Sequence, residues 1–158
     1  MKILGKNVQS SLDIQYLNNM PKIILCRGIQ GSGKTTFAKQ WVLEDPEHRI
    51  RFSYDDLRNM MGKYWVPSRE KILQEIKRDF ILSTLGEYDI IIDNMNLNPE
   101  ELKFYQTAIA YTRYVIEFKD FFIPLEVCID RDSKRENPIG EEVIRKTYEK
   151  YKSIIENG

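Results

Sequence analysis

The sequence predicts an α/β protein of three layers, with a central parallel sheet of about four strands, helices on both faces and a helical lid. Two observations carry the prediction. Short apolar runs alternate with amphipathic stretches along the chain, which is the order produced when crossover helices return parallel strands. A glycine-rich loop also stands directly between the first such run and the first such stretch. At 158 residues, 42% of them hydrophobic, the chain suits one domain around a single core.

Taken in order, residues 1 to 20 are polar and without a clean period, and read as a terminal extension of unassigned role ahead of one domain over 21–158. Lys22 to Arg27 is short, apolar and bounded by Pro21 and Gly28, as a buried parallel strand is. Phe37, Ala38, Trp41 and Val42 then recur at helical spacing until Asp45-Pro46, where proline disfavours further helix. Ile50 to Ser53 is the second strand candidate, and a helix is expected to start at Asp55-Asp56 and run through Leu57 and Met60. Leu73, Ile76, Phe80 and Thr84 mark one face of a longer helix. Asp89 to Asp93, with its three consecutive isoleucines, is the clearest buried strand. Asn98-Pro99 reads as a cap and first-turn pair, Glu100 and Glu101 suit the helix dipole, and Leu102, Tyr105 and Ile109 continue the face. Tyr114 to Phe118 alternates as a fourth strand, Leu125 to Asp132 reads as helix, and Ile144, Tyr148, Tyr151 and Ile155 define a closing amphipathic helix.

Lysine plus arginine and aspartate plus glutamate each number 24, so the formal net charge is zero. A nucleic acid would have to be gripped by a local patch, since a uniformly basic surface is excluded. Cys26 and Cys128 sit in apolar runs without disulfide or zinc spacing and read as small core residues of a reducing compartment. With no signal-peptide pattern and no apolar run of membrane-spanning length, the expectation is a soluble, cytoplasmic protein.

The run Gly28-Ile29-Gln30-Gly31-Ser32-Gly33-Lys34-Thr35 has the G-x-x-x-x-G-K-T form of a P-loop, in its required strand–loop–helix setting. Glycines at 28, 31 and 33 allow backbone N–H groups to approach phosphate oxygens closely. Lys34 suits the β and γ phosphates of ATP, and the Thr35 hydroxyl suits magnesium at a helix N-terminus. A P-loop alone does not say where the phosphoryl group goes.

The acceptor is sought elsewhere. Asp55 follows the second strand, and carboxyl ends of parallel strands line the ligand crevice. Asp55 and Arg58, three apart, can share a helix face, the one hydrogen-bonding an acceptor hydroxyl and the other holding a neighbouring phosphate. The bland reading is that Asp55 or Asp56 caps a helix and Arg58 is solvated. Arg131, Lys134 and Arg135 form a basic cluster closed by Pro138, either a lid over the nucleotide or a solvated charge group. Asp93, at the end of the isoleucine strand, is where P-loop enzymes hold magnesium. His48 reads as a solvated loop residue without partners, and Tyr64 and Trp65 either stack on a base or enter the core.

Together these segments resemble the 5′-kinase domain of the bacteriophage polynucleotide kinase/phosphatase family over roughly residues 21 to 152. The shared features are the Gly28–Thr35 loop, Tyr54-Asp55-Asp56-Leu57-Arg58, Asn96-Leu97-Asn98-Pro99-Glu100 and Arg131-Asp132-Ser133-Lys134-Arg135, in the same order. The resemblance implies transfer of the ATP γ-phosphate to 5′-hydroxyl ends of DNA or RNA in nucleic acid end repair, inside a cell that includes an infected host. It implies catalytic roles for Asp55 as general base, Lys34, and Arg135 as the lid arginine. It implies nucleotide contacts from Gly28, Gly31, Ser32, Gly33, Lys34, Thr35, Thr36, Arg131 and Arg135. Asp55, Arg58 and Asn94 are implied on the substrate side, and Thr35 and Asp93 for Mg2+.

Two departures stand out. The family's acid lies two positions before the first Asn of N-L-N-P, which here is Asn94, while Asp93 comes one place earlier, so either residue is a candidate for that role. The sequence also contains no D-x-D-G-T phosphatase nucleophile motif, so 3′-phosphatase activity is expected to be absent. The competing readings are a small-molecule alcohol kinase, for example of a nucleoside, and a nucleotide-dependent switch or toxin-like protein. Neither a membrane partner nor a particular oligomer is indicated.

Overall fold

The computed structural model describes residues 15–16, 18–62 and 65–158. Strands β1 (Lys22–Arg27), β2 (Arg49–Phe52), β3 (Asp89–Ile92) and β4 (Val115–Asp120) form one sheet in the order β2-β3-β1-β4. Every pairing is parallel, with Ile23 opposite Ile90 and Ile116, and Phe52 opposite Ile92. The helices are α1 (Lys34–Leu43), α2 (Tyr54–Met60), α3 (Pro67–Thr84), α4 (Pro99–Ile109), α5 (Leu125–Ser133) and α6 (Glu141–Asn157).

The two-residue period of the strands sorts their side chains into two layers. Ile23, Leu25, Phe52, Ile90, Ile92 and Ile116 pack with Ile81 of α3 and Tyr105 and Ile109 of α4. Ile24, Cys26 and Ile91 face Ala38 of α1 on the other side. Each such isoleucine or leucine contributes roughly 1.5–3 kcal/mol by leaving water, which is why strands this short hold their register. A third cluster, Ile29, Leu97, Cys128 and Ile144, fastens the glycine-rich loop to α5 and α6.

The three-layer prediction holds, and the differences are local. Ser53 belongs to neither strand nor helix: its hydroxyl accepts the Asp56 N–H and caps α2, so Asp55 and Asp56 lie in the first turn and neither is the cap. The fourth strand runs two residues further, to Asp120, because β1 pairs along its whole length, Arg27 opposite Asp120. Asn98 caps α4 as expected, accepting the Glu100 N–H. Trp65 is 65% exposed, not core, while Tyr64 lies outside the described residues. His48 is exposed, yet it has a partner after all, with Nδ1 2.8 Å from Asp45 Oδ1. Both cysteines are buried free thiols. The expected extension over 1 to 20 falls largely outside the described residues, though Met20 is buried. Among the described residues no helix is long and apolar enough to cross a membrane.

Candidate nucleotide and acceptor site

The glycine-rich loop owes its path to close packing. Gly31 has φ +78°, and a Cβ there would stand 2.4 Å from the Cys128 carbonyl oxygen of α5, so only glycine fits. Gly33, at φ +103°, opens α1. Among the described residues no side chain caps α1 and no acid occupies its first turn, so its leading N–H groups and their positive potential face the loop. Ser32 and Lys34 are buried, whereas Thr35 and Thr36 are exposed.

Lys34 Nζ donates to the Ile29 carbonyl (2.7 Å) and to Ser32 Oγ (3.3 Å). Burial pushes its pKa down to about 8, opposed by the charges of Asp93 and Asp55. Both carboxylates therefore lie within electrostatic reach of the loop lysine. They come from different elements: Asp93 follows directly on β3, and Asp55 sits in the first turn of α2, beyond β2.

Asp93 is buried, with its carboxylate held on one side only. Arg51 of β2 donates to Oδ2 from Nε (2.8 Å) and Nη2 (2.7 Å), while Oδ1 is buried without a partner among the described residues. Asn94 accepts the Tyr54 N–H on Oδ1 (2.9 Å) and so ties the end of β3 to the start of α2; its buried Nδ2 is likewise unpartnered there. Asn96, at φ +49°, donates from Nδ2 to the carbonyls of Cys26 (2.7 Å) and Ile92 (3.0 Å) and pins this loop across the strand ends.

Asp55 is 75% exposed and accepts from Arg58 Nη1 at 2.8 Å. The remaining face of the Arg58 guanidinium is taken bidentately by Glu70 in the first turn of α3, at 2.9 and 2.7 Å. The expected pairing on one helix face is thus present, and the solvated reading of Arg58 is set aside.

On the other flank of the loop a cavity of about 640 Å³ is walled by Gly31, Gly33, Thr36, Phe37, Gln40, Arg131 and Arg135. Arg131 Nη1 reaches the Ser32 carbonyl at 3.4 Å. Arg135 stands 3.7 Å from Asp132, whose buried carboxylate accepts the N–H groups of Ile139 (3.1 Å) and Gly140 (2.9 Å) and so closes the segment between α5 and α6. The basic cluster splits: Arg131 and Arg135 face the cavity, while Lys134 pairs with Asp130 at the surface.

Sequence reasoning assigns no site role to Arg51, Glu70, Phe37, Gln40 or Asp132, although Phe37 reads as a helix-face residue and Asp132 lies in the shared Arg131–Arg135 segment. A signal for Arg51 was present. Arg49 and Arg51 alternate with Ile50 and Phe52, and an arginine drawn into such a partly buried strand needs a carboxylate partner.

A magnesium ion takes hard oxygen ligands. The Thr35 hydroxyl and the free Oδ1 of Asp93 fit that chemistry, and the orphaned buried oxygen is the observation that favours it.

This parallel sheet, with its glycine-rich loop leading into a helix, defines a P-loop nucleotide-binding domain of the kinase type. The AAA domain family model (AAA_33) matches residues 23–157, and the chain belongs to that family. A protein named as a bifunctional polynucleotide kinase/RNA ligase, from Autographa californica nuclear polyhedrosis virus, is 22% identical over 151 residues, 87% of this chain and 22% of the viral protein. A chain in the Pnkp1/Rnl/Hen1 RNA repair complex is similar at TM-score 0.71 and 26% identity, over 88% of this chain and 46% of that one. Mycobacterium tuberculosis APS kinase CysC, solved with AMPPNP and APS, shares the fold at TM-score 0.55 and 17% identity, over 73% of this chain and 70% of its own. The chain thus spans less than half of the repair-complex chain and of the viral relative.

Proposed function

We propose that residues 21–158 form an ATP-dependent polynucleotide 5′-hydroxyl kinase domain that acts in nucleic acid end repair, with 1–20 as an extension of unassigned role. The observation that carries the reading is the Asp55–Arg58 pair, 2.8 Å apart on α2, with the Asp55 charge acting on the P-loop lysine. A hydroxyl with a phosphate one nucleotide away calls for a base and a cation so placed. Likeness to proteins named for polynucleotide kinase activity and RNA repair supports the same acceptor.

In this reading ATP lies across the loop with its base in the Thr36–Gln40 and Arg131–Arg135 cavity. The loop N–H groups and Lys34 hold the phosphates, and Arg135, with Arg131, stabilises charge as it builds on the transferring group. Asp55 accepts the proton of the 5′-hydroxyl. The hydroxyl oxygen bonds to the γ-phosphorus as the bond to the β–γ bridging oxygen breaks, and ADP leaves. Arg58, kept in place by Glu70, meets the acceptor's first phosphate. Thr35 and Asp93 are the residues that would hold magnesium, which would neutralise phosphate charge when bound with the nucleotide. Asn94 acts on the acceptor side by fixing the start of α2.

The test is transfer of labelled γ-phosphate from ATP to 5′-hydroxyl DNA and RNA oligonucleotides, with 5′-phosphorylated oligonucleotides and free nucleosides as comparison acceptors. Label confined to the 5′-hydroxyl oligonucleotides is the expected result. Label on free nucleosides alone would replace the polymer acceptor with a small alcohol.

A further inference from the structure

The two halves of the site meet at one side chain that the proposed reaction does not use. Arg51 is only 13% exposed, and its guanidinium divides its donors between two elements. Nε and Nη2 go to Asp93 Oδ2 at the end of β3, at 2.8 and 2.7 Å, and Nη1 goes to Asp56 Oδ2 in the first turn of α2, at 2.5 Å. The first arm occupies one oxygen of a buried carboxylate and leaves the other, Oδ1, unpartnered among the described residues. The second arm grips the residue next to Asp55.

We propose that Arg51 is a positioning residue that couples the nucleotide side of the site to the acceptor side, presenting Asp93 Oδ1 to the nucleotide's magnesium and holding the first turn of α2 against the end of β3. The inference rests on the kinase reading of the site. Only a planar fork with several N–H groups reaches both carboxylates at once, and a lysine ammonium of equal charge on a flexible stem does not. If Arg51 merely neutralised a buried acid, lysine would serve.

The experiment uses the full chain with Arg51→Lys and Asp56→Asn. Three quantities are read: the thermal midpoint, the ratio of ATP affinity with magnesium to that in a chelator, and the acceptor KM and kcat. Arg51→Lys is expected to lower the magnesium ratio about tenfold, the scale for loss of a partner behind a metal ligand, with chelator-bound ATP affinity nearly unchanged. Asp56→Asn is expected to leave the ratio intact and to raise acceptor KM about tenfold, more than it lowers kcat, because it cuts the acceptor arm alone. An unaltered ratio in Arg51→Lys overturns the proposal. So does a ratio that falls equally in both variants, or losses that track the thermal midpoint alone. If Arg51→Lys does not fold, an unchanged acceptor KM in Asp56→Asn overturns it instead. The ratio requires no acceptor, so it still reports on Arg51 when the wild-type chain phosphorylates something other than a polynucleotide; the acceptor arm is then read with the hydroxyl compound that is used.

Discussion

Burial and two carboxylates act in opposite directions on the proton of Lys34. Burial is the larger effect and brings the pKa to about 8, while Asp93 and Asp55 favour the charged form. A bound triphosphate adds negative charge and raises that pKa again. The sign follows: affinity that depends on the Lys34 proton is fully present below about 8 and declines as pH rises above it. ATP binding is therefore expected to take up almost no protons well below pH 8 and a growing fraction of one above it. Calorimetry in buffers of different ionisation heat reads this directly, and Lys34→Met should abolish the uptake. At Asp55 the expectation is kinetic. Asp55→Asn should lower phosphoryl transfer by roughly two to four orders of magnitude while ATP affinity stays near wild type, since the carboxylate is exposed and pairs with Arg58. Full activity in that variant would remove Asp55 as the base.

Helix α2 shows how a short element is held in place by its ends. Seven residues are too few for a stable helix in isolation, so α2 depends on the Ser53 cap, the Asn94 bond to the Tyr54 N–H and the Arg51 contact to Asp56. The ring of its first residue, Tyr54, packs on Phe52, which also meets Phe80, at centroid distances of 5.4 and 5.2 Å. Ser53→Ala should cost about 1 kcal/mol, a fall of about 2–4 °C in the thermal midpoint for a domain of this size. Differential scanning calorimetry checks it, and a shift within error would mean that the cap is dispensable beside the other two ties. Helix α1 is held differently. It has no cap of its own among the described residues, and the loop before it is wedged onto α5 at Gly31, so the phosphate-binding end is positioned by tertiary packing while its N–H groups stay unengaged by side chains.

Across the whole molecule the charges balance, with a formal net charge of zero. In the proposed reading an acceptor strand would be met by local cations, chiefly Arg58, because the net charge supplies no overall basic field. Oligonucleotide affinity should fall with salt at a slope of about −0.7 for each single-strand phosphate engaged, and a total corresponding to one or two phosphates is expected. Measuring affinity across a salt series decides this, and a slope several times steeper would point to a basic track reaching beyond Arg58.

The layer architecture was legible because it depends on patterns confined to contiguous residues. Three isoleucines at 90–92, the strand–loop–helix around Gly28–Lys34 and the helical period of Ile144, Tyr148 and Tyr151 each carry their own signal. Asp55 and Arg58 were readable for the same reason, lying one helical turn apart. Asp93 paired with Arg51, 42 positions away, was not readable in this way, nor was Arg58 held by Glu70, 12 positions on. Such pairs form only when separate strands and helices dock, and nothing local in the chain fixes which buried arginine meets which carboxylate. The phosphate-binding loop, the sheet and the short-range Asp55–Arg58 pair could be read from the chain alone, because local geometry requires those residues in that order. That Asp93 keeps a buried oxygen unpartnered among the described residues, while Arg51 holds Asp93 and Glu70 holds Arg58, emerges only on folding, because those choices depend on register and packing between elements distant along the chain.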